Sequence, residues 1–297
     1  MKLLILVIFA NFIFSSNIVD NNSEYTLFYN DSLNHTQQLG RDNDPKTRSE
    51  LSKLNIFLRK IRWEILSIPG LRFMSSLVFP SSTISHFDRD GAVAFTIDDG
   101  FCGVDNPSGC MVKEIIDLFK KYDSKATFFI NGSHCLYTDK LLVSKLLENG
   151  HEIANHNMMD WPYDKYSSEE FLRDFNRTED ILSKYRKNPP KWYRAPFAKI
   201  SKNMQNIVDQ KGLTHVVADA FAHDTSIPDP DWIAKFILKK VRPGSIVLIH
   251  MPERNVREWN YEAMEKTLLG LKQKNYKVVK ILKQHLKNIA YLVFQKN

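Results

Sequence analysis

From Gly91 onward the chain alternates short apolar runs with amphipathic stretches, and this alternation limits the fold more than any other feature. The apolar runs are Val93–Ile97, Ala126–Ile130, Glu152–Ala154, Lys191–Arg194, His215–Ala218, Ile246–Ile249 and Lys277–Ile281. Stretches of helical spacing separate them, near Met111–Tyr122, Asp139–Asn149, Ser168–Tyr185, Lys202–Lys211, Asp231–Val241 and Tyr261–Asn275. Gly150, Gly212 and Gly244 fall just after helical stretches, where a left-handed cap is expected. Strands that alternate with helices run parallel and are joined by crossovers. An open doubly wound sheet and a closed barrel both satisfy this. No G-x-G-x-x-G or G-x-x-x-x-G-K-[ST] follows any of the runs, so a nucleotide site has no support.

The positions of the polar residues favour the barrel. The first run, Gly91 to Gly100, does not alternate and reads as a buried strand that stops at Asp98, Asp99 and Gly100. Two adjacent carboxylates repel, so a metal, an arginine or a shared proton must compensate. The third run leads to His156 and Asp160, the fourth to Arg194, the fifth to Asp219 and Asp224, and the sixth to His250. In a barrel these carboxyl ends meet on one face, where active sites are built. One buried histidine or arginine is usually a satisfied structural group. Five strands that each deliver one are harder to explain that way. His156 and Asp160 are four apart, which on a helical turn puts them on one side. With Asp99 they offer one imidazole and two carboxylates, and three protein ligands with an open position is the layout of a catalytic metal site. His151, at the start of its strand, is expected to pack or cap.

Length and composition leave room for one large domain. The 297 residues are 43% hydrophobic and 25% charged, ordinary for a globular chain. The net charge of +7 is spread along the sequence, without the basic stripe of a nucleic-acid binder. Lys2, the twelve mostly apolar residues Leu3 to Phe14, and then Ser15, Ser16 and Asn17 fit a signal peptide and fall short of a membrane span. No later segment is apolar enough to span a membrane. Sequons at Asn21, Asn30, Asn34, Asn131 and Asn176 agree with export. Of the three cysteines, Cys102 with Cys110 would staple the loop after the acidic pair, and Cys110 with Cys135 is the competing bond. No histidine-plus-cysteine motif marks a catalytic thiol. Leu51 to Ser67 has helical spacing, with Leu54, Phe57, Leu58, Ile61 and Ile65 on one face, and stops before Pro69-Gly70.

Taken in order, these motifs resemble the polysaccharide deacetylases of the NodB-homology type, carbohydrate esterase family 4, and among them the chitin deacetylases. Thr96-Ile97-Asp98-Asp99-Gly100 resembles the family's T-F-D-D-G. Gly150-His151-Glu152-Ile153-Ala154-Asn155-His156, ending at Asp160, resembles the second motif, Arg194-Ala195-Pro196-Phe197 the third, and Leu248-Ile249-His250 the fifth. The resemblance implies a distorted seven-stranded (β/α) barrel that removes acetyl groups from N-acetylglucosamine-containing polysaccharide, with metal-bound water as the nucleophile. It gives Asp99, His156 and Asp160 to one divalent ion, zinc first, with cobalt or manganese as alternatives. Asp98 becomes the general base, paired with Arg194, and His250 the general acid, supported by a carboxylate. The backbone N–H of Phe197 would hold the oxyanion and Leu248 the acetyl methyl group. Trp192, Tyr193 and Trp232 are candidates for stacking on sugar rings.

Three departures stand out. Asp160 occupies the place where most of the family has a second histidine, which hardens the site. The fourth motif is loose, with Asp224 preferred over Asp219 as the partner of His250. Met251-Pro252 replaces an aspartate often found after that histidine. The expected organisation is a signal peptide at 1–16, a polar glycosylatable stem at 17–50, a helical lead-in at 51–89, the deacetylase domain at 90–285 and a tail at 286–297. The implied protein is secreted, binds a polysaccharide, and has no nucleic-acid partner and no membrane span once the signal is removed. The alternative is a secreted, catalytically inactive relative that binds glycan. A barrel whose polar strand ends serve only stability is the third reading, and the order of the motifs opposes it.

Overall fold

A computed structural model describes residues 53–66, 79–80, 82–103 and 106–281. The expected signal peptide, the stem and the tail at 286–297 lie outside these residues. In chain order the elements are α1 (Lys53–Leu66), β1 (Ala92–Gly100), α2 (Val112–Lys121), β2 (Ala126–Ile130), α3 (Gly132–Tyr137), α4 (Lys140–Glu148), β3 (Glu152–Asn155) and α5 (Ser168–Ser183). They continue with β4 (Trp192–Tyr193), α6 (Lys202–Gln210), β5 (Thr214–His215), β6 (Ala220–Phe221), α7 (Pro230–Lys240), β7 (Ile246–His250), α8 (Trp259–Gln273) and β8 (Lys277–Val279). All seven expected strands are present. The additional ones, β6 and α3, are two and six residues long, too short to show a period.

The strands pair in the order β5-β4-β3-β2-β1-β7-β6, all parallel, and β8 joins the first half of β1. The sheet curls into a distorted (β/α) half-barrel. Its edges are bridged by the segment before β1, where Ile84 pairs with Val216 beyond β5 and His86 with Ser245 at the foot of β7. Gly244 makes this closure possible. Its φ is +74°, and a Cβ there would lie 1.8 Å from the carbonyl oxygen of Phe87.

Every residue of β1 is buried, as a central strand covered on both sides requires. Val93, Phe95 and Ile97 pack outward with Phe119, Phe236 and Leu268 of the surrounding helices. Ala92 and Ala94 face an inner cluster with Phe129, Trp192, Val216 and Ile246. The helices begin where side chains satisfy their free N–H groups. Ser167 and Glu170 form a capping box on α5, and Asp139, Ser201 and Asp229 cap α4, α6 and α7.

Helix α1 forms within the expected stretch Leu51 to Ser67. Phe57, Leu58 and Ile61 are exposed. The barrel is met instead by Lys60 paired with Asp229, by Glu64 with Lys239, and by Trp63, whose ring lies 4.1 Å from that of His223. Among the described residues no helix is long and apolar enough to cross a membrane. Of the sequons within the described residues, Asn176 is exposed on α5. Asn131 is fully buried, and its Nδ2, the atom a glycan would need, donates to His156 O at 3.0 Å.

Candidate active site

Residues two apart on a strand share a face, so Asp98 projects to the same inner side as Thr96. Arg194, just past β4, reaches both of them. Its Nη1 donates to Asp98 Oδ1 at 2.6 Å and to Thr96 Oγ1 at 2.9 Å, and its Nε donates to Val216 O at 3.1 Å. The guanidinium lies 4.1 Å from the centre of the Phe129 ring. Thr96 Oγ1 passes its own hydrogen to Val247 O at 2.6 Å, so its lone pairs face the arginine. Asp98 is thereby fixed by a buried cation that is itself held from three sides.

By the same rule Asp99 belongs on the opposite face. Between Ile97 and Gly100, however, β1 has two residues where β2 has one, and Asp99 takes a φ of +56°. Such a bulge re-aims a side chain. As a result Asp99 Oδ1 lies 3.7 Å and Asp98 Oδ2 3.9 Å from His156 Nε2. The other ring nitrogen of His156, Nδ1, lies 2.8 Å from Arg194 O. A carbonyl only accepts, so Nδ1 carries a hydrogen, and Nε2 is the nitrogen that faces the carboxylates.

Asp160 completes the group, and ligand atoms of Asp99, His156 and Asp160 all lie within 4.8 Å of one another. The 156–160 segment is a bend rather than the expected helical turn. Asn157, at φ +61°, makes the reversal, and its N–H donates to Asn155 Oδ1 at 2.7 Å. Asp99 Oδ1 is buried without a hydrogen-bond partner. An unpartnered buried carboxylate oxygen is costly, and one imidazole with two carboxylates is a suitable donor set for a divalent cation. These residues fit such an ion.

The charges of this buried cluster act on one another. Burial alone would raise the Asp99 carboxyl, but Arg257, His250 and His156 hold it well below the usual range. Burial and the nearby Asp99 push Asp160 up to about 8. Arg257 Nη1 donates to Asp99 Oδ2 at 2.8 Å.

His250 stands across the group at the end of β7. Its Nδ1 lies 3.0 Å from Asp224 Oδ1, and its backbone N–H donates to Asp224 Oδ2 at 2.7 Å. Burial disfavours the imidazolium, yet the charge and hydrogen bond of Asp224, aided by Asp99, raise the ring to about 9. Asn260 Nδ2 donates to Asp224 Oδ2 at 2.9 Å, and Trp259 Nε1 to Asp224 O at 2.8 Å. Asp219 is elsewhere, bound to Ser245 Oγ and to the N–H of Ile246.

Of the residues expected to meet substrate, Phe197 is half exposed, at φ +56° and followed by Ala198 at φ +53°. Leu248 is partly exposed on β7. Trp192 and Tyr193 do not join them. Trp192 packs in the inner cluster, and Tyr193 is fully buried among Phe171, Phe175 and Val208. A strand between covering layers leaves no ring face for a sugar. Trp232 stacks on Phe236 at 4.7 Å within α7. His151 has a structural place, its Nδ1 accepting from the N–H of Ala126 at 3.2 Å. Sequence reasoning missed Arg257, Trp259, Asn260 and His134, whose Nδ1 lies 3.1 Å from Asp99 O. Except for His134 they follow β7, in a stretch without a repeated motif to mark them.

Residues 87–216 match the sequence model of the polysaccharide deacetylase family. A peptidoglycan-N-acetylmuramic acid deacetylase of Bacillus subtilis, PdaC, is 24% identical over 230 residues, covering 77% of this chain and 44% of that protein. A peptidoglycan-N-acetylglucosamine deacetylase of Bacillus cereus is 27% identical over 187 residues, covering 63% of this chain and 66% of that one. The chain thus spans about half the length of these curated relatives. A crystal structure described as a pseudoenzyme of carbohydrate esterase family 4 from Bacillus anthracis superposes with a TM-score of 0.59 at 22% identity, over 68% of each chain.

Proposed function

We propose, from the match of residues 87–216 to the polysaccharide deacetylase model, that this chain hydrolyses acetamido groups of an N-acetylglucosamine-containing glycan, chitin or a chitin-like polymer, outside the cell. The observation that carries this reading is the convergence of Asp98 and Asp99 on His156 Nε2, with Asp99 Oδ1 buried and unpartnered. Asp99, His156 and Asp160 would hold the divalent ion. When bound, such an ion polarises the acetyl carbonyl and makes a water more acidic.

The chain's own groups perform the proton transfers. Asp98, oriented by Arg194, takes a proton from the attacking water. The new carbon–oxygen bond leaves a tetrahedral oxyanion, to which the N–H of Phe197 donates in this reading. His250, kept protonated by Asp224, gives its proton to the sugar nitrogen as the carbon–nitrogen bond breaks. The products are acetate and a free amine. Leu248 lines the space for the acetyl methyl group.

A second reading, glycan binding without turnover, is favoured by the guanidinium of Arg257 bonded to Asp99. Acetate release separates the two. Protein expressed through a secretory pathway is assayed on chitin oligosaccharides and on peptidoglycan fragments, beside Asp98→Asn and Asp160→Ala. Release that disappears in both variants and with chelator supports the hydrolase. Binding without release under any divalent ion supports the second reading. Release from peptidoglycan alone overturns the choice of chitin.

A further inference from the structure

Arg257 sets its guanidinium directly on a candidate metal ligand, Asp99, and it comes from a segment built to hold it there. Its side chain is 12% exposed, with Nη1 on Asp99 Oδ2 at 2.8 Å and Nη2 3.8 Å from Glu253 Oε1. Glu253 is itself buried, accepts from Asn106 Nδ2 at 3.3 Å, and pairs through its backbone with Cys110. Cys110 is bonded to Cys102, two residues past Gly100, and Arg254 Nη1 donates to Cys110 O at 2.9 Å. The disulfide loop that leaves β1 therefore clamps the 253–257 segment, and Arg257 cannot drift from Asp99 without breaking buried contacts.

The cation sits where it cancels one charge. Asp99 and Asp160 are the two acidic ligands, and an ion that binds there draws on both carboxylates and on His156 Nε2. Arg257 faces Asp99 directly, and its charge also interacts with Asp160 and Glu253. It occupies Asp99 Oδ2 and leaves Oδ1, the atom toward His156, unpartnered. An ion at Oδ1 would meet a carboxylate already shared with a fixed cation. Like charges a few ångströms apart in a buried site repel strongly.

We infer that Arg257 is a resident counter-cation that stabilises the ion-free centre and weakens its hold on a divalent ion, and so sets the ion concentration at which the site fills. The inference rests on the metal centre of the proposed function. Arg257 is a positioning residue here and takes no part in proton transfer.

The test compares wild type, Arg257→Gln and Arg257→Lys, with zinc affinity read by competition against a chromophoric chelator and melting temperature read with and without zinc. Gln keeps a donor and loses the charge, whereas Lys keeps the charge. Arg257→Gln is expected to bind zinc tenfold or more tightly than wild type. It also melts lower without the ion and gains more on adding it, while Arg257→Lys stays within about threefold of wild-type affinity. An Arg257→Gln variant that binds zinc equally or more weakly overturns the inference, because Arg257 would then only orient Asp99. If neither wild type nor Arg257→Gln binds zinc, manganese or cobalt, the metal centre itself is refuted and the inference falls with it. Circular dichroism confirms that each variant is folded.

Discussion

Asp224 grips His250 at two points, accepting from the backbone N–H at 2.7 Å and from the ring at 3.0 Å. A carboxylate bound twice to one residue fixes both the ring's position and its charge. Burial and Asp224 compete over that charge, and the ring reaches about 9. It is therefore protonated at neutral pH, as a general acid for amine departure must be.

Activity is expected to fall above pH 9, as His250 loses its proton. Asp224→Asn removes the charge that raises the ring, so this basic limb should move down by more than one pH unit. The stability that the pair contributes is complete below pH 6.5 and lost as pH rises through about 9. The kcat–pH profiles of the two proteins decide the matter, and an unmoved basic limb would show that His250 is not the acid.

Arg194→Lys is expected to lower kcat at least tenfold with less than a threefold change in KM. One ammonium cannot reproduce the contacts to Asp98, Thr96 and Val216, or the planar packing on Phe129. Steady-state kinetics would contradict this if KM rose and kcat held.

Stability should decrease as pH falls from 6.5 toward 4. Burial lowers His151 and His223 to about 4 and His215 to about 3, so the unfolded chain takes up three protons in that window that the fold refuses. Asp160, raised to about 8 in the ion-free fold, retains one proton the unfolded chain gives up, which leaves a net uptake of two on unfolding. Each such proton is worth about 1.4 kcal/mol per pH unit. Melting temperatures measured between pH 7 and 4.5 should fall, and less steeply in His151→Gln.

Gly244→Ala should destabilise far more than Gly212→Ala. Both positions have positive φ, which costs an alanine about 1–2 kcal/mol. At Gly244 a Cβ would also meet the Phe87 carbonyl at 1.8 Å, whereas around Gly212 nothing lies within 4 Å. Chemical denaturation of the two variants would count against the closure described for the barrel if their losses were equal.

The sequence by itself determined the alternation of strands and helices, because burial on both sides demands continuous apolar runs such as Ala92–Ile97 and amphipathic helices between them. It also placed Asp98, Asp99, His156, Arg194 and His250 at strand ends, where a parallel architecture must gather them. Only the tertiary structure decided which of these groups meet and how. Adjacent residues on a strand point apart, and it takes the bulge against β2 and the left-handed Asp99 to turn both carboxylates toward His156. Asp224 rather than Asp219 supports His250, because only contacts far apart in sequence separate two similar aspartates. The burial of Trp192 and Tyr193 follows from layers on both sides of β4 that no local pattern records. Arg257 comes to Asp99 from 158 residues away. A lone arginine in a loop carries no periodicity, and its role arises only when folding places it beside a buried charge.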